Sequence, residues 1–117
     1  MGFRTMFLQL IGRPTVEQLR ETAERLRQKR MGDVLLVMAR HYHEYPNNGS
    51  WPYWVIAHKL RQESAGMAPM TLVETLEQLT AQGLIQRLDG GDKQRPATAV
   101  DYIISDKGLN HVGPFDN

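Results

Sequence analysis

The sequence predicts a mainly α-helical domain that carries a small β-hairpin near its C-terminal end. Three observations lead there. Apolar residues recur at helical spacing through most of residues 15–82, cut into segments by Gly, Pro and Asn clusters. Two short apolar runs then flank a polar turn of residues 89–96, and the second run is rich in β-branched residues. The chain has 117 residues, is 41% hydrophobic and 23% charged, and so can build one ordinary core without staples.

Residues 3–11 are short and apolar, and at that length strand, helical turn and arm are equally open. Gly12-Arg13-Pro14 breaks the run. Thr15 and Gln18 then have capping-box spacing, with Glu17, Glu21 and Glu24 in the early turns of a first helix. Its apolar residues, Val16, Leu19, Ala23 and Leu26, form a thin 3-4-3 stripe on a charged helix that ends in Arg27-Gln28-Lys29-Arg30. A stripe this narrow suits packing on one partner: its own domain, or a second copy of the chain.

A second helix is expected over residues 31–45, the most hydrophobic stretch, with Leu35, Met38, Ala39 and Tyr42 on one face. Residues 45–50 are a turn by composition. Ser50 is placed to cap a third helix with Pro52 in its first turn, and Tyr53, Ile56, Ala57 and Leu60 form its inner face. Trp51 and Trp54 flank that helix start. Packing at the edge of the core is the simpler reading of both, a stacking floor the sharper one. Residues 64–66 end the helix.

Pro69 opens a fourth helix, with Leu72, Val73, Leu76, Leu79 and Thr80 inward and Gly83 as terminator. Strands are expected over residues 84–88 and 98–104. Ser105-Asp106 caps a last helix through Val112, which Gly113-Pro114 stops. The expected division is an N-terminal arm and basic helix (1–30), a body (31–112) and a short tail (113–117).

Three local sequences, taken in order, resemble one fold family. Thr75-Leu76-Glu77-Gln78-Leu79-Thr80-Ala81-Gln82-Gly83-Leu84-Ile85 resembles a recognition helix running into a wing, written L-x-x-L-x-x-x-G-L-I. Residues 89–96 are similar to a wing tip. Tyr102-Ile103-Ile104-Ser105-Asp106-Lys107-Gly108 resembles the strand-to-helix junction Y-x-L-T-x-x-G. Over residues 31–112 the chain thus resembles the winged helix-turn-helix regulators, in particular the PadR-like and MarR-like bacterial transcriptional regulators. The resemblance implies a winged helix with an additional N-terminal helix, a recognition helix at about 69–82 entering the major groove of double-stranded DNA, and a wing at about 84–104.

On that expectation Thr71, Glu74, Thr75 and Gln78 share one helical face and read base edges. Lys59 and Arg61, with Lys93 and Arg95 at the wing tip, contact phosphates. The stripe Val16, Leu19, Ala23 and Leu26 forms a homodimer interface, and a partner would also cover Phe3, Met6, Phe7, Leu8 and Leu10. One charge pattern opposes this. The fourth helix has no Lys or Arg and carries Glu74 and Glu77. The first 30 residues hold seven bases against three acids, a net of +4, and the remainder seven against ten, a net of −3. Basic residues elsewhere must therefore supply the phosphate attraction. The alternative is a winged-helix protein–protein module without sequence-specific DNA binding.

Other chemistry has little support in the sequence. With no cysteine there is no disulfide, thiol nucleophile or thiolate metal site. His41 and His43 are two apart and point to different sides of a helix, so no metal site is expected. Gly90-Gly91 lacks the pattern of a phosphate loop. No enzyme activity, no cofactor and no membrane segment are expected, and the expected location is cytoplasmic.

Overall fold

The computed structural model describes residues 15–45, 50–92 and 94–113. The expectations for residues 1–14, for the turn at 46–49, for Lys93 and for the tail at 114–117 lie outside the described residues.

Thr15 caps the first helix as its spacing requires. Its hydroxyl accepts from the Gln18 amide at 3.1 Å, and the Gln18 side chain accepts from the Thr15 amide at 2.9 Å. The helix does not stop at Arg30. It continues as a single 29-residue helix, α1 (Val16–Glu44), in place of the two expected. The basic residues 27–30 read as a helix end, with a second helix beginning at Met31. However, Gly32 lies within the helix, and one helical glycine costs only about 1 kcal/mol, which a packed helix tolerates. The two halves of α1 differ. Val34, Leu35, Val37, Met38 and Ala39 are buried, whereas every residue from 16 to 30 is exposed.

After the turn, Trp51–Pro52 forms a short strand, β1, which the sequence did not announce. Ser50 is therefore not a helix cap. Helix α2 (Tyr53–Gln62) starts directly after β1, with Pro52 in the cap position. Helix α3 (Pro69–Ala81) begins with Pro at its first turn, as expected. Strands β2 (Ile85–Leu88) and β3 (Asp101–Ile104) make the hairpin, and residues 97–99 form a 3-10 turn, so the strand expected from residue 98 begins only at Asp101. Helix α4 (Asp106–Val112) closes the described chain, capped by the Ser105 hydroxyl, which accepts from the Gly108 amide at 3.0 Å.

The sheet is antiparallel in the order β1-β3-β2. Trp51 lies opposite Tyr102, and Ile85 opposite Ile104. Pro52, which has no N–H to donate, sits on an edge strand, where it is tolerated. The buried half of α1 packs against α2, α3, α4 and β3 and is the centre of the core. Ile56 and Leu60 from α2, Leu72, Leu76 and Leu79 from α3, and Ile85, Tyr102 and Ile104 from the sheet surround it. Each such side chain contributes about 1.5–3 kcal/mol of burial.

The turn from α3 into β2 fixes where α3 points. Gly83, at φ 74°, donates to the Thr80 carbonyl at 3.0 Å, and the next amide, Leu84, donates to Leu79 at 3.0 Å. This pair of bonds satisfies the last carbonyls of the helix and needs a left-handed residue at its centre. Ser105 Oγ donates to the Gly83 carbonyl at 2.6 Å and Lys107 Nζ to the Gln82 carbonyl at 2.7 Å. The end of α3 is thus tied to the start of α4. Among the described residues, no helix is long and apolar enough to cross a membrane.

Candidate nucleic-acid interface

Helix α3 presents its residues unequally. Glu74 and Glu77 are exposed, and Thr71 and Gln78 are half-buried. Thr75 is only 3% exposed. Its hydroxyl donates to the Thr71 carbonyl at 2.8 Å, so it is a satisfied core-edge residue and not a free reader of base edges. The 3-4 spacing placed it on the correct side of the helix. Where that side meets the core depends on the position of α1, which spacing cannot supply. Met70, not anticipated as a surface residue, is exposed at the start of α3.

The exposed half of α1 runs beside this face. A groove of about 220 Å³ separates them, with Ala23, Leu26, Arg27 and Arg30 on one wall and Thr71, Glu74, Thr75 and Gln78 on the other. Half of the expected dimer stripe and all of the expected base-reading face therefore line one groove within a single chain. Sequence reasoning treated them as separate surfaces because it broke α1 at residue 30. An unbroken helix carries the azimuth of its buried half outward, and that is the signal that would have found the groove.

The groove is electrostatically mixed. Arg27 Nη1 meets Glu24 Oε2 at 2.6 Å, and Gln28 Nε2 donates to the other Glu24 oxygen at 2.9 Å. Among the described residues Arg30 is in no ion pair. Arg25 pairs with Glu21 at 3.8 Å and Lys29 with Asp33 at 3.0 Å, on other sides of the helix. The stripe remains open along its length, with Val16, Leu19 and Leu26 at 64%, 57% and 46% exposure.

The other expected phosphate contacts are scattered. Lys59 lines a different hollow, of about 120 Å³, with Arg40, His41, Trp51 and Glu63. There Arg40 is ion-paired with Glu63, which ties α1 to the end of α2. Arg61 is exposed, with its aliphatic stem packed over Gly66. In the hairpin loop, Arg95 Nη2 donates to the Ala99 carbonyl at 2.7 Å, and Arg87 donates to the Arg95 carbonyl while its Nε lies 3.7 Å from Asp89. The Asp89 and Asp92 carboxylates accept from the amides of Gly91 and Gln94, at 2.9 and 3.1 Å, and so shape the loop. Arg95 of the loop and Arg87 of β2 thus serve the structure of the hairpin itself.

The two tryptophans divide. Trp51 is buried in the core, and its ring meets His41 edge-on at 3.9 Å between centroids. Trp54 is exposed at 67%. Burial holds the pKa of His41 at about 4, below the usual 6.5, and the charge of Lys59 adds to the effect. Among the described residues, no group of three or more His, Asp or Glu is placed to hold a metal ion. In comparison with known proteins, the chain matches no family model, and neither a curated protein nor a solved structure matches it significantly.

Proposed function

We propose that the chain is a winged-helix, DNA-binding transcriptional regulator of the cytoplasm. In this reading α3 is the recognition helix, the β2–β3 hairpin is the wing, and the exposed stripe of α1 joins two copies into a homodimer. The observation that carries it is the α3–β2 turn. Gly83, Ser105 and Gly108, the residues on which the resemblance to winged-helix motifs rests, tie the end of α3 to α4, and Glu74 is exposed on α3; this supports the reading. Thr71, Glu74 and Gln78 remain the residues for base contact, and Thr75 is withdrawn from that role.

The test is binding to duplex DNA of unrelated sequence as a function of salt. Binding at ~20 mM salt that weakens steeply as salt rises is expected, since each neutralised phosphate contributes about 0.9 to the log–log slope. No binding even at low salt would exclude the reading. It would favour a winged-helix protein–protein module, for which the acidic outer face of α3, Glu74 and Glu77, is a suitable surface.

A further inference from the structure

We infer that Arg27 and Arg30 of α1, rather than Arg95 of the hairpin loop, form the main phosphate clamp of this protein. The inference rests on the DNA-binding reading above and locates the charge that the reading lacks. Helix α3 brings two exposed carboxylates and no base to the duplex. Alone it would be repelled from the phosphates that dominate affinity. The cations that compensate must lie within side-chain reach of the exposed face of α3. Arg95 is bonded back to Ala99, and Lys59 lies in a hollow that shares no residue with the groove. Among the described residues, Arg27 and Arg30 are the cations that line the same groove as Thr71, Glu74 and Gln78.

The geometry follows from helix packing. A recognition helix in the major groove has a sugar–phosphate strand passing along each side. The exposed half of α1 bounds one side of α3, so the strand on that side passes over α1 at the mouth of the groove, next to Arg27 and Arg30. Arg27 and Arg30 are three apart and neighbour each other on one face of α1. Each guanidinium can take a phosphate in a bidentate pair, which a lysine cannot. Glu24 holds Arg27 at 2.6 Å and orients it, and Arg30 is in no ion pair among the described residues. With a strand in place, the guanidiniums also stand between Glu74 and the phosphates and screen that carboxylate.

The experiment compares three proteins on one labelled duplex, by fluorescence anisotropy from ~20 to ~300 mM salt, a range over which phosphate contacts register as slope. They are the wild type, Arg27→Gln with Arg30→Gln, and Arg25→Gln with Lys29→Gln. The last pair removes the same charge from other sides of α1. Circular dichroism checks that all three keep their helix. The groove variant should lose ~10- to 100-fold in affinity at ~0.1 M salt and up to ~2 units of slope. The control should lose only a few-fold. Equal losses in the two variants, with the wild type still binding, overturn the clamp and leave the DNA-binding reading standing. Failure of the wild type to bind at low salt overturns both.

Discussion

Gly108 of α4 lies so close beneath Leu84 that a β-carbon built on it would stand 2.1 Å from the Leu84 carbonyl oxygen. It would also meet Ile104 Cγ1 at 2.7 Å. The glycine of the strand-to-helix junction is thus required by close backbone approach, while the neighbouring Ser105 holds the same contact from the other side, its amide donating to Leu84 at 3.0 Å. Gly108→Ala must push α4 away from the end of α3. We expect a loss of about 3 kcal/mol or more, the upper end for overpacking, because the obstacle is backbone and not a flexible side chain. Urea denaturation followed by circular dichroism checks this; a loss below about 1 kcal/mol would contradict the packing described.

Ser64 provides the opposite case. It follows the end of α2 at φ 59°, the left-handed region, and its amide and that of Ala65 donate to Arg61 and Leu60 at 3.2 and 2.8 Å. The bonding matches that at Gly83, but with a residue that has a β-carbon. Ser64→Gly should stabilise the protein by up to about 1 kcal/mol, the left-handed penalty less the extra chain entropy of glycine. Ser64→Val, β-branched, should destabilise it. The urea midpoints should order as Gly, Ser, Val, from high to low.

His41 makes stability depend on pH. Its folded pKa, about 4, lies below the ordinary histidine value of 6.5. Between those values the unfolded chain binds a proton that the folded chain does not, so stability falls as pH drops from 6.5 to 4 and this contribution is constant outside that window. His41→Gln should remove up to one proton's worth of slope, at most about 1.4 kcal/mol per pH unit, less for the solvent that still reaches the ring. The readout is the difference between wild type and variant in unfolding free energy at pH 7, 5.5 and 4.5. Parallel pH curves would show that His41 titrates normally.

The stripe predicts a dimer whose loss spares the body. Val16 and Leu19 lie outside the α1–α3 groove, whereas Ala23 and Leu26 line it. Val16→Glu with Leu19→Glu therefore tests association without touching the proposed DNA face. Sedimentation equilibrium should give a mass that rises with concentration for the wild type and about 13.4 kDa for the variant, with the helix signal largely retained. A wild-type mass fixed at the monomer value would end the dimer proposal. Because Leu26 faces both the stripe and the groove, Leu26→Glu should affect association and DNA binding together.

How far the sequence led can be judged from these same residues. Thr15, Gly83 and Ser105 were legible because a cap is a local device: the residue type, the spacing and the bond it makes lie within a few positions. Trp51 and Pro52 were not legible as strand. Two residues carry no periodicity, and what makes them a strand is Tyr102, some fifty positions away. The groove was hidden for a related reason. The residues on each wall were named from their spacing, but which wall faces which depends on α1 passing Gly32 unbroken. That continuity is decided by packing in the buried half of the helix. Thr75 was misplaced by the same gap, since its hydroxyl bond to Thr71 is local but its burial is tertiary.

The unbroken α1 makes the protein a pair of calipers. One jaw is α3, locked at its far end by Gly83, Ser105 and Lys107; the other is the outer half of α1, roughly 20 Å of helix at 1.5 Å per residue. The pivot is the buried half of α1, where Leu35 and Met38 are fixed among α2, α3 and the sheet. The gap between the jaws is therefore gauged in the core. A substitution there that rotated the buried half by a few degrees would swing a long arm, and that small rotation would become a displacement of ångströms at Val16. The fit of anything held between the jaws is thus sensitive to residues that never touch it.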